Sequence, residues 1–270
     1  DFIIEEGADG IVPVGATGEF AMLSEEERKK VIEITVDQTN GRVPVIAGTG
    51  APSTREAIKL TKFAKDVGAD GVLVITPYCL PHFLTNEIYD HYKAIAEKVD
   101  ISIVIYNNPG RTGINIQPEI LYKLADEFDN IVSYKEDCLD IIRFSKICAE
   151  CRDKITILAG SALALLASLS MGGHGIICSE FQVAPKLIRR MYDSFTRGDI
   201  DEAVKLHLKL ATFTDLLVST KNVGILPAGI KALLKLRGFN VGTPRAPIPP
   251  IDPSILEKNI SKLKELGIIS

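Results

Sequence analysis

The 270-residue chain contains no tryptophan, and aromatic residues make up only 6% of it. Stacking surfaces for single-stranded nucleic acid or for sugar rings depend on such side chains, so the composition does not favour either ligand. An excess of basic residues is also lacking, because 31 Lys and Arg stand against 35 Asp and Glu, for a formal net charge of -4. A basic surface for nucleic acid or anionic lipid is therefore not predicted.

Long apolar runs and a secretory signal are missing as well. No segment approaches the roughly 20 apolar residues that cross a bilayer, and no basic stretch followed by an apolar core marks a signal peptide. We therefore expect a cytoplasmic protein with no membrane contact. The 46% of hydrophobic residues allow a large core, in one α/β barrel or in two small domains.

Cysteine is scarce, with Cys79, Cys138, Cys148, Cys151 and Cys178 scattered along the chain. An odd number in a chain that can bury a full core argues against a disulfide framework. Cys148 and Cys151 form a CxxC motif near the end of a predicted helix, without a second CxxC or a nearby histidine. Free thiols on a helix are the main interpretation, and a metal or redox site is the alternative.

What the sequence does contain is a regular alternation of strands and helices. Continuous apolar runs predict strands at 10–14, 43–47, 71–75, 101–105, 131–135, 155–158 and 174–178. Amphipathic segments predict helices at about 24–39, 53–67, 85–97, 117–126, 139–150, 161–170, 183–197, 200–219, 223–236 and 253–266. Strands of this kind are buried on both faces by flanking helices. We expect an α/β fold with a barrel over residues 1–180 and a packed helical region over 181–270.

Local signals mark several helix ends. Ser24 to Glu27 and Ser53 to Glu56 have the spacing of capping boxes, and Pro118 stands in a predicted first turn. Residues 1–6 are typical of the last turn of a helix, which Gly7 would cap. A helix in this position implies that another element precedes it.

Lys135 stands at the end of the predicted strand 131–135. The next residues, Glu136 and Asp137, are interpreted as the acidic opening of a helix. In a barrel of parallel strands, the C-terminal strand ends line the active site. A desolvated lysine there loses proton affinity and becomes an amine nucleophile toward carbonyl groups. The alternative is a lysine that points to solvent from a loop.

Other predicted strand ends also carry polar groups. Gly15-Ala-Thr-Gly-Glu19 follows the first strand as a glycine-rich turn whose N–H groups and hydroxyl suit a carboxylate. It lacks the Lys-Ser/Thr of a P-loop. Tyr106 ends the strand before that of Lys135, where it is placed to share protons with the lysine. Arg111 follows on the same rim.

Together these segments resemble the dihydrodipicolinate synthase and N-acetylneuraminate lyase family of pyruvate-dependent class I lyases. The motifs, in order, are Gly15-Ala-Thr-Gly-Glu19, Tyr106-Asn-Asn-Pro-Gly-Arg-Thr112, Tyr134-Lys135-Glu136, Gly172-Gly-His-Gly-Ile176 and Ile225-Leu-Pro-Ala-Gly-Ile-Lys231. The resemblance implies a (β/α)8 TIM barrel with a C-terminal helical extension, usually assembled as a homotetramer, a dimer of dimers. It also implies that the first strand and most of the first helix are missing from the sequence.

The resemblance assigns roles to individual residues. Lys135 is similar to the lysine that forms a Schiff base with pyruvate, and Tyr106 to the tyrosine that shuttles protons beside it. The implied substrate-binding positions are Gly15, Ala16, Thr17 and Gly18 for the pyruvate carboxylate, Ile177 for the lining of the site and Arg111 for the second substrate. No metal or organic cofactor is implied, because the covalent link forms between the substrate and Lys135.

Two positions depart from the synthase pattern. Ala16 stands where the synthase has the first threonine of a proton relay, and Cys79 stands where it has a tyrosine donated across the dimer; neither has an equivalent hydroxyl. By contrast, Arg111 matches the arginine that holds the carboxylate of aspartate semialdehyde, although a surface arginine is the alternative. Ala159-Gly-Ser-Ala162 sits where family members select their second substrate and offers one hydroxyl.

The leading interpretation is a dihydrodipicolinate synthase-like enzyme that condenses pyruvate with aspartate semialdehyde in lysine biosynthesis. One alternative is an aldolase or dehydratase for 2-keto-3-deoxy sugar acids, which would use the same lysine. Another is a barrel that has lost catalysis and acts as a binding or regulatory protein. The expected partners are a small 2-keto acid, an aldehyde and further copies of the chain.

Overall fold

A parallel β-sheet lies at the centre of the protein. The computed structural model describes residues 1–79, 85–218 and 226–269. Within these ranges the sheet has six strands: β1 Ile46–Gly48, β2 Gly71–Ile75, β3 Ser102–Asn107, β4 Ile131–Glu136, β5 Thr156–Ala159 and β6 Gly175–Ile176. Each strand pairs in parallel with the next one along the chain. The predicted α/β class is confirmed, and the strands form a six-stranded half-barrel.

Helices fill the connections between the strands. They are α1 Phe2–Glu5, α2 Glu25–Thr39, α3 Thr54–Asp66, α4 Thr85–Lys98, α5 Pro109–Thr112, α6 Pro118–Glu127, α7 Ile141–Cys151 and α8 Leu165–Ser170. After the last strand follow α9 Pro185–Thr196, α10 Ile200–Val218, α11 Leu226–Leu236 and α12 Pro253–Glu265. Residues 219 and 223–225 of two predicted helices lie outside the described residues. No helix in the described part of the chain is long and apolar enough to cross a membrane.

The predicted capping box at Ser24 is complete, whereas at Ser53 only the serine half is present. The Ser24 hydroxyl accepts a hydrogen bond from the Glu27 N–H at 3.2 Å, and the Glu27 carboxylate accepts one from the Ser24 N–H at 2.9 Å, which completes the capping box of α2. The Ser53 hydroxyl accepts from the Glu56 N–H at 3.3 Å at the start of α3. Such caps satisfy N–H groups that have no partner within the helix, so short polar signals fix where these helices begin.

The predicted strand at 10–14 is wrong. Its backbone makes only an isolated parallel bridge, between Ile11 and Val45, with hydrogen bonds from the Ile46 N–H to the Ile11 carbonyl and from the Gly48 N–H to the Pro13 carbonyl, both 2.9 Å. Pro13 has no N–H to donate to a ladder, and Val14 adopts φ 59°. The chain therefore turns away from β1 before a strand can form.

Alternate residues of the central strands face two different surroundings. Val72, Val74, Ile103, Ile105 and Tyr134 pack with the helices in the main core. Leu73, Ile75, Val104 and Tyr106 form a smaller buried cluster on the opposite face. This two-residue period explains why the strands are apolar on both faces and why Tyr106 lies on the inner face of the half-barrel.

The C-terminal helices have a hydrophobic core of their own. Buried residues of α9, α10 and α11 pack there with Ala162, Leu165 and Leu169, which precede β6. The cluster thus reaches back across the boundary that the sequence places at residue 180. That division into two regions stays a prediction.

The core facing the helices gives a stability test. Ile105 in β3 is 0% exposed, so the Ile105→Ala substitution should lower the free energy of unfolding by about 2 to 5 kcal/mol, through lost burial and the cavity left behind. Ile34 in α2 is 53% exposed, and Ile34→Ala should change it by less than about 0.5 kcal/mol. Urea denaturation of both variants measures the difference, and equal losses would contradict the described core.

Candidate active site

Lys135 and Tyr106 lie opposite each other on neighbouring parallel strands. The register of β3 and β4 pairs these two residues, which brings both side chains to the same face of the sheet. The Lys135 amine lies 4.1 Å from the centre of the Tyr106 ring. Tyr106 also packs on the inner cluster of Leu73, Ile75 and Val104. The two residues that the sequence predicts as catalytic therefore lie side by side.

The Lys135 side chain is buried, with only 8% of the residue exposed. The alternative of a lysine that points to solvent is therefore wrong. Burial lowers the pKa of Lys135 below the ordinary 10.5, since desolvation disfavours the charged amine. The nearby Asp137, Cys178 and Glu180 act in the opposite direction, and Arg111 lowers the pKa further. Desolvation dominates, so the neutral amine is favoured relative to an exposed lysine.

The Tyr106 hydroxyl is held in a hydrogen-bonded triangle. It donates to Asp137 Oδ2 at 2.8 Å, while Asn108 Nδ2 donates to the Tyr106 oxygen at 2.9 Å and to Asp137 Oδ2 at 2.8 Å. Burial raises the pKa of Tyr106 above its ordinary value, and the charge of Asp137 raises it further. The phenol therefore keeps its proton at rest and directs it toward a carboxylate.

Glu136 and Asp137 do not open a helix, contrary to the sequence interpretation. Glu136 is the last residue of β4 and is buried. Helix α7 begins only at Ile141, where the Asp140 side chain accepts hydrogen bonds from the first-turn N–H groups. Asp137 instead contacts Tyr106 and Asn108 beside Lys135. Glu136 faces the helices, where it pairs with Arg143 of α7.

A buried ion pair supports the end of β4. Arg143 Nε lies 3.1 Å from Glu136 Oε2, and both side chains are almost fully buried. Glu136 also accepts hydrogen bonds from the Tyr134 hydroxyl and from Asn107 Nδ2, each at 2.7 Å. Because a buried charge is tolerated only when its hydrogen bonds are made, these contacts fix the backbone on both sides of Lys135.

The turn from Gly15 to Gly18 borders the same inner cluster. Ala16 packs against the residues around Tyr106, Thr17 is half-buried and Gly18 is exposed. The turn is tight, because a Cβ on Gly18 would lie 3.1 Å from the Gly15 carbonyl oxygen. A small cavity beside it is lined by Gly15, Ala16, Arg28, Leu73, Ile75 and Tyr106, among others.

Ile177 borders the site from the edge of the sheet formed by β6. It follows β6, its N–H donates to the Ala159 carbonyl at 2.9 Å, and its side chain packs on the cluster that contains Tyr106. Arg111 lies at the rim, in the short helix α5, where it is exposed. Its charge still lowers the pKa values of Lys135 and Tyr106, so the guanidinium acts electrostatically on both side chains.

Two segments singled out in the sequence have different surroundings. Cys79 is exposed and adopts φ 75°, the left-handed region, and its thiol is not among the described contacts of Tyr106. Gly160, in Ala159-Gly-Ser-Ala162, lies against Asp137, since a Cβ there would stand 2.5 Å from the Asp137 Cβ. Glycine at this position therefore makes room for the acidic side chain.

Asp137 and Asn108 were not identified as site residues from the sequence. The signal that could have identified them is their position directly after two neighbouring strand ends. Asn107 pairs with Glu136 in the register that also pairs Tyr106 with Lys135. The residue after each pair leaves the sheet at the same edge. Polar residues just past two paired strand ends are therefore candidates to meet, as Asn108 and Asp137 do.

The CxxC motif lies away from this site. Cys148 and Cys151 are buried in α7 and are free, and burial raises the pKa of each thiol to about 11. The interpretation as free thiols on a helix is confirmed. Among the described residues, no group of three or more His, Cys, Asp and Glu side chains is arranged to hold a metal ion.

Comparisons with known proteins identify the family of the chain. The sequence profile described as the dihydrodipicolinate synthetase family matches residues 1–266. A 4-hydroxy-tetrahydrodipicolinate synthase of Syntrophus aciditrophicus is 42% identical over 270 residues, which is 100% of this chain and 90% of that protein.

Two solved structures extend the likeness to the fold. Dihydrodipicolinate synthase from Aquifex aeolicus has a TM-score of 0.92 and 34% identity, over 99% of this chain and 89% of that one. A prophage protein of the dihydrodipicolinic acid synthase family from E. coli K12, in complex with pyruvate, has a TM-score of 0.93 and 28% identity, over 99% and 90% of the two chains. On its sequence and on its fold, the chain belongs to the dihydrodipicolinate synthetase family.

Proposed function

We propose that the protein is a class I lyase that binds pyruvate as a Schiff base on Lys135 and condenses it with aspartate semialdehyde, in the manner of a 4-hydroxy-tetrahydrodipicolinate synthase. The observation that carries the proposal is the buried Lys135 amine, 4.1 Å from the ring centre of Tyr106. Membership of the family supports the same chemistry.

The first step is attack of the Lys135 amine on the keto carbon. Only the neutral amine carries the required lone pair, and burial of Lys135 favours that form. Tyr106, with its hydroxyl in the same site, moves protons between the amine and the departing oxygen. The imine that results, once protonated on nitrogen, withdraws electrons from the adjacent methyl carbon. Loss of a proton from that carbon to a base gives the enamine, whose carbon then attacks the aldehyde.

Pyruvate is proposed to place its carboxylate on the turn from Gly15 to Gly18. The backbone N–H groups of the turn and the hydroxyl of Thr17 suit an anion. Ala16 and Ile177 supply an apolar lining, since both pack on the cluster around Tyr106. The site is thus polar at one end of a three-carbon substrate and apolar along its side.

Arg111 is proposed to bind the carboxylate of the second substrate. Its exposed position at the rim suits a group that meets an incoming aldehyde, and its charge reaches the catalytic pair. The absence of a hydroxyl at Ala16 favours a second candidate, an aldolase or dehydratase for 2-keto-3-deoxy sugar acids. Both candidates use Lys135 in the same way and differ in the aldehyde.

The proposal extends to assembly and location. A complete (β/α)8 TIM barrel and a homotetramer built as a dimer of dimers are expected of the family resemblance. The exposed apolar side chains of Leu139, Ile141 and Ile142 support self-association, because apolar patches of this kind mark protein contacts. The five free cysteines support a reducing compartment such as the cytoplasm.

Reductive trapping tests the Schiff base directly. Incubation with pyruvate and borohydride should attach the pyruvate skeleton to the peptide that contains Lys135, as read by mass spectrometry, and Lys135→Ala should abolish the adduct. Lys146→Ala is a matched control, since Lys146 is exposed on α7. A folded wild-type protein that forms no adduct would contradict the proposal and favour a barrel that binds without catalysis.

The pH dependence of trapping tests the effect of burial on Lys135. The neutral amine is the reactive form, and burial lowers the pKa of Lys135 below 10.5. The initial rate should therefore rise with pH along a limb whose apparent pKa lies below 10.5. Quenched-flow trapping across a pH series measures the limb. A midpoint at or above 10.5 would mean that the amine is solvated.

The Arg111→Ala substitution separates the two candidate substrates. A charge-assisted hydrogen bond to a carboxylate contributes about 1.5 to 3 kcal/mol, so KM for aspartate semialdehyde should rise about tenfold or more, while KM for pyruvate stays the same. Arg55→Ala, at an exposed helix position, is the control. Turnover of glyceraldehyde-type acceptors alone would favour the sugar-acid candidate.

A further inference from the structure

The environment of the Tyr106 hydroxyl differs from that of an isolated phenol. Within the described residues its hydrogen-bond partners are Asp137 and Asn108. The nearby turn contributes Ala16, which brings only a methyl group to the cluster around the ring. Asp137 is thus the one acidic side chain in described contact with the hydroxyl that must move protons.

Asp137 is held in place from several sides. Its N–H donates to the Asn107 carbonyl at 3.0 Å, which ties its backbone to the end of β3. Asn108 Nδ2 holds one carboxylate oxygen at 2.8 Å. On the opposite side, Gly160 leaves space for the side chain, where any Cβ would stand 2.5 Å from the Asp137 Cβ. The orientation toward Tyr106 is therefore set by two separate segments, the end of β3 with Asn108 and the residue that follows β5.

The hydrogen bond has a direction that suits proton transfer. The Tyr106 proton points to Asp137 Oδ2, and the Asn108 amide occupies one acceptor position on the phenol oxygen. A remaining lone pair is free to accept a proton from a neighbouring donor. Lys135 lies over the same ring, and Asp137 is the largest of the influences that raise the pKa of Lys135. The charge of Asp137 therefore raises the pKa of both Lys135 and Tyr106.

We propose that Asp137 is a positioning residue for Schiff-base formation, which takes the Tyr106 proton transiently so that Tyr106 can accept one from Lys135. The proposal rests on the function proposed above and adds a residue to it. Asp137 acts through Tyr106 and does not itself touch the substrate.

The proton balance of the step is closed. When the Lys135 lone pair attacks, the electrons of the carbonyl π-bond move to oxygen. One proton leaves Nζ for the Tyr106 oxygen as the Tyr106 proton moves to Asp137, and the return transfer delivers a proton to the former carbonyl oxygen. A second cycle moves the other Nζ proton, the C–O bond breaks with its electrons on oxygen, and the nitrogen lone pair forms the C=N bond. Imine and water result, and Asp137 and Tyr106 end as they began.

The test is the rate of imine formation in Asp137→Asn, which keeps the shape of the side chain but cannot take the proton. Borohydride-quenched flow with pyruvate should show a rate constant lowered by about 100-fold, the lower end of general acid–base contributions. With excess pyruvate, the fraction trapped after long incubation should still approach that of the wild type, because a slower step delays the adduct without preventing it. Asp140→Asn is the matched control, because asparagine also caps a helix, and it should react at the wild-type rate.

A double variant distinguishes the relay from a structural role. In the Tyr106→Phe background, Asp137→Asn should cause no further loss, because the proton it acts on is gone. Gly160→Ala gives an independent route, since the added methyl must displace the Asp137 side chain, and it should also slow trapping. Trapping at the wild-type rate in Asp137→Asn, or an equal loss with and without the Tyr106 hydroxyl, would overturn the inference.

The same experiment separates this inference from the function on which it rests. If wild-type protein forms no pyruvate adduct on Lys135, the proposed function itself fails, and the relay fails with it. If the wild type forms the adduct and Asp137→Asn forms it equally fast, the Schiff base stands and only the role of Asp137 is rejected.

Discussion

The pairing of β3 with β4 is the constraint on which the rest of the site depends. Parallel pairing sets Tyr106 opposite Lys135 and Asn107 opposite Glu136. Because side chains alternate across a sheet, the first pair faces the inner cluster. A slip of one residue would turn Lys135 toward the helices, away from the Tyr106 ring. The proposed chemistry therefore depends on the register between β3 and β4.

That register is reinforced by charges that are themselves buried. Glu136 and Arg143 form an ion pair at 3.1 Å with almost no exposure, and Tyr134 and Asn107 complete the hydrogen bonds of the carboxylate. Removing one member of such a pair costs about 3 to 5 kcal/mol, because an uncompensated charge remains. The pair is thus a means of fixing geometry rather than a clear source of net stability. It holds the backbone beside Lys135 while that lysine is left without an ion-pair partner in the described contacts.

Opposing influences act on the pKa of Lys135, and their net effect lowers it. Burial lowers the pKa of the amine, and Asp137, Cys178 and Glu180 oppose that effect without overcoming it. A stronger acidic contact would stabilise the ammonium ion and deplete the neutral amine. Asp137 instead accepts its hydrogen bond from Tyr106. Its carboxylate is therefore bonded to the phenol, and the Lys135 amine stays desolvated.

Much of the fold and part of the site were predictable because they depend on local pattern. Apolar runs of β-branched residues place β2 through β5, and the spacing of Ser24 and Glu27 places the start of α2, since propensity and capping act within a few residues. Lys135 and Tyr106 were predictable for the same reason, as polar residues that end apolar strands. The wrong strand prediction at residues 10–14 also has a local cause. The apolar pattern there is typical of a strand, but Pro13 has no N–H to donate to the neighbouring strand.

By itself, then, the sequence determined the class of fold and the ends of most helices, and it predicted that Lys135 and Tyr106 end neighbouring strands. Only the tertiary structure decided what surrounds them. Asp137 and Glu136 are adjacent and chemically alike, yet one meets Tyr106 and Asn108 and the other meets Arg143. Their partners lie between 7 and 31 positions away along the chain. No local pattern encodes which acidic side chain faces which partner. The partner of each depends on how separate strands, a helix and Gly160 pack together.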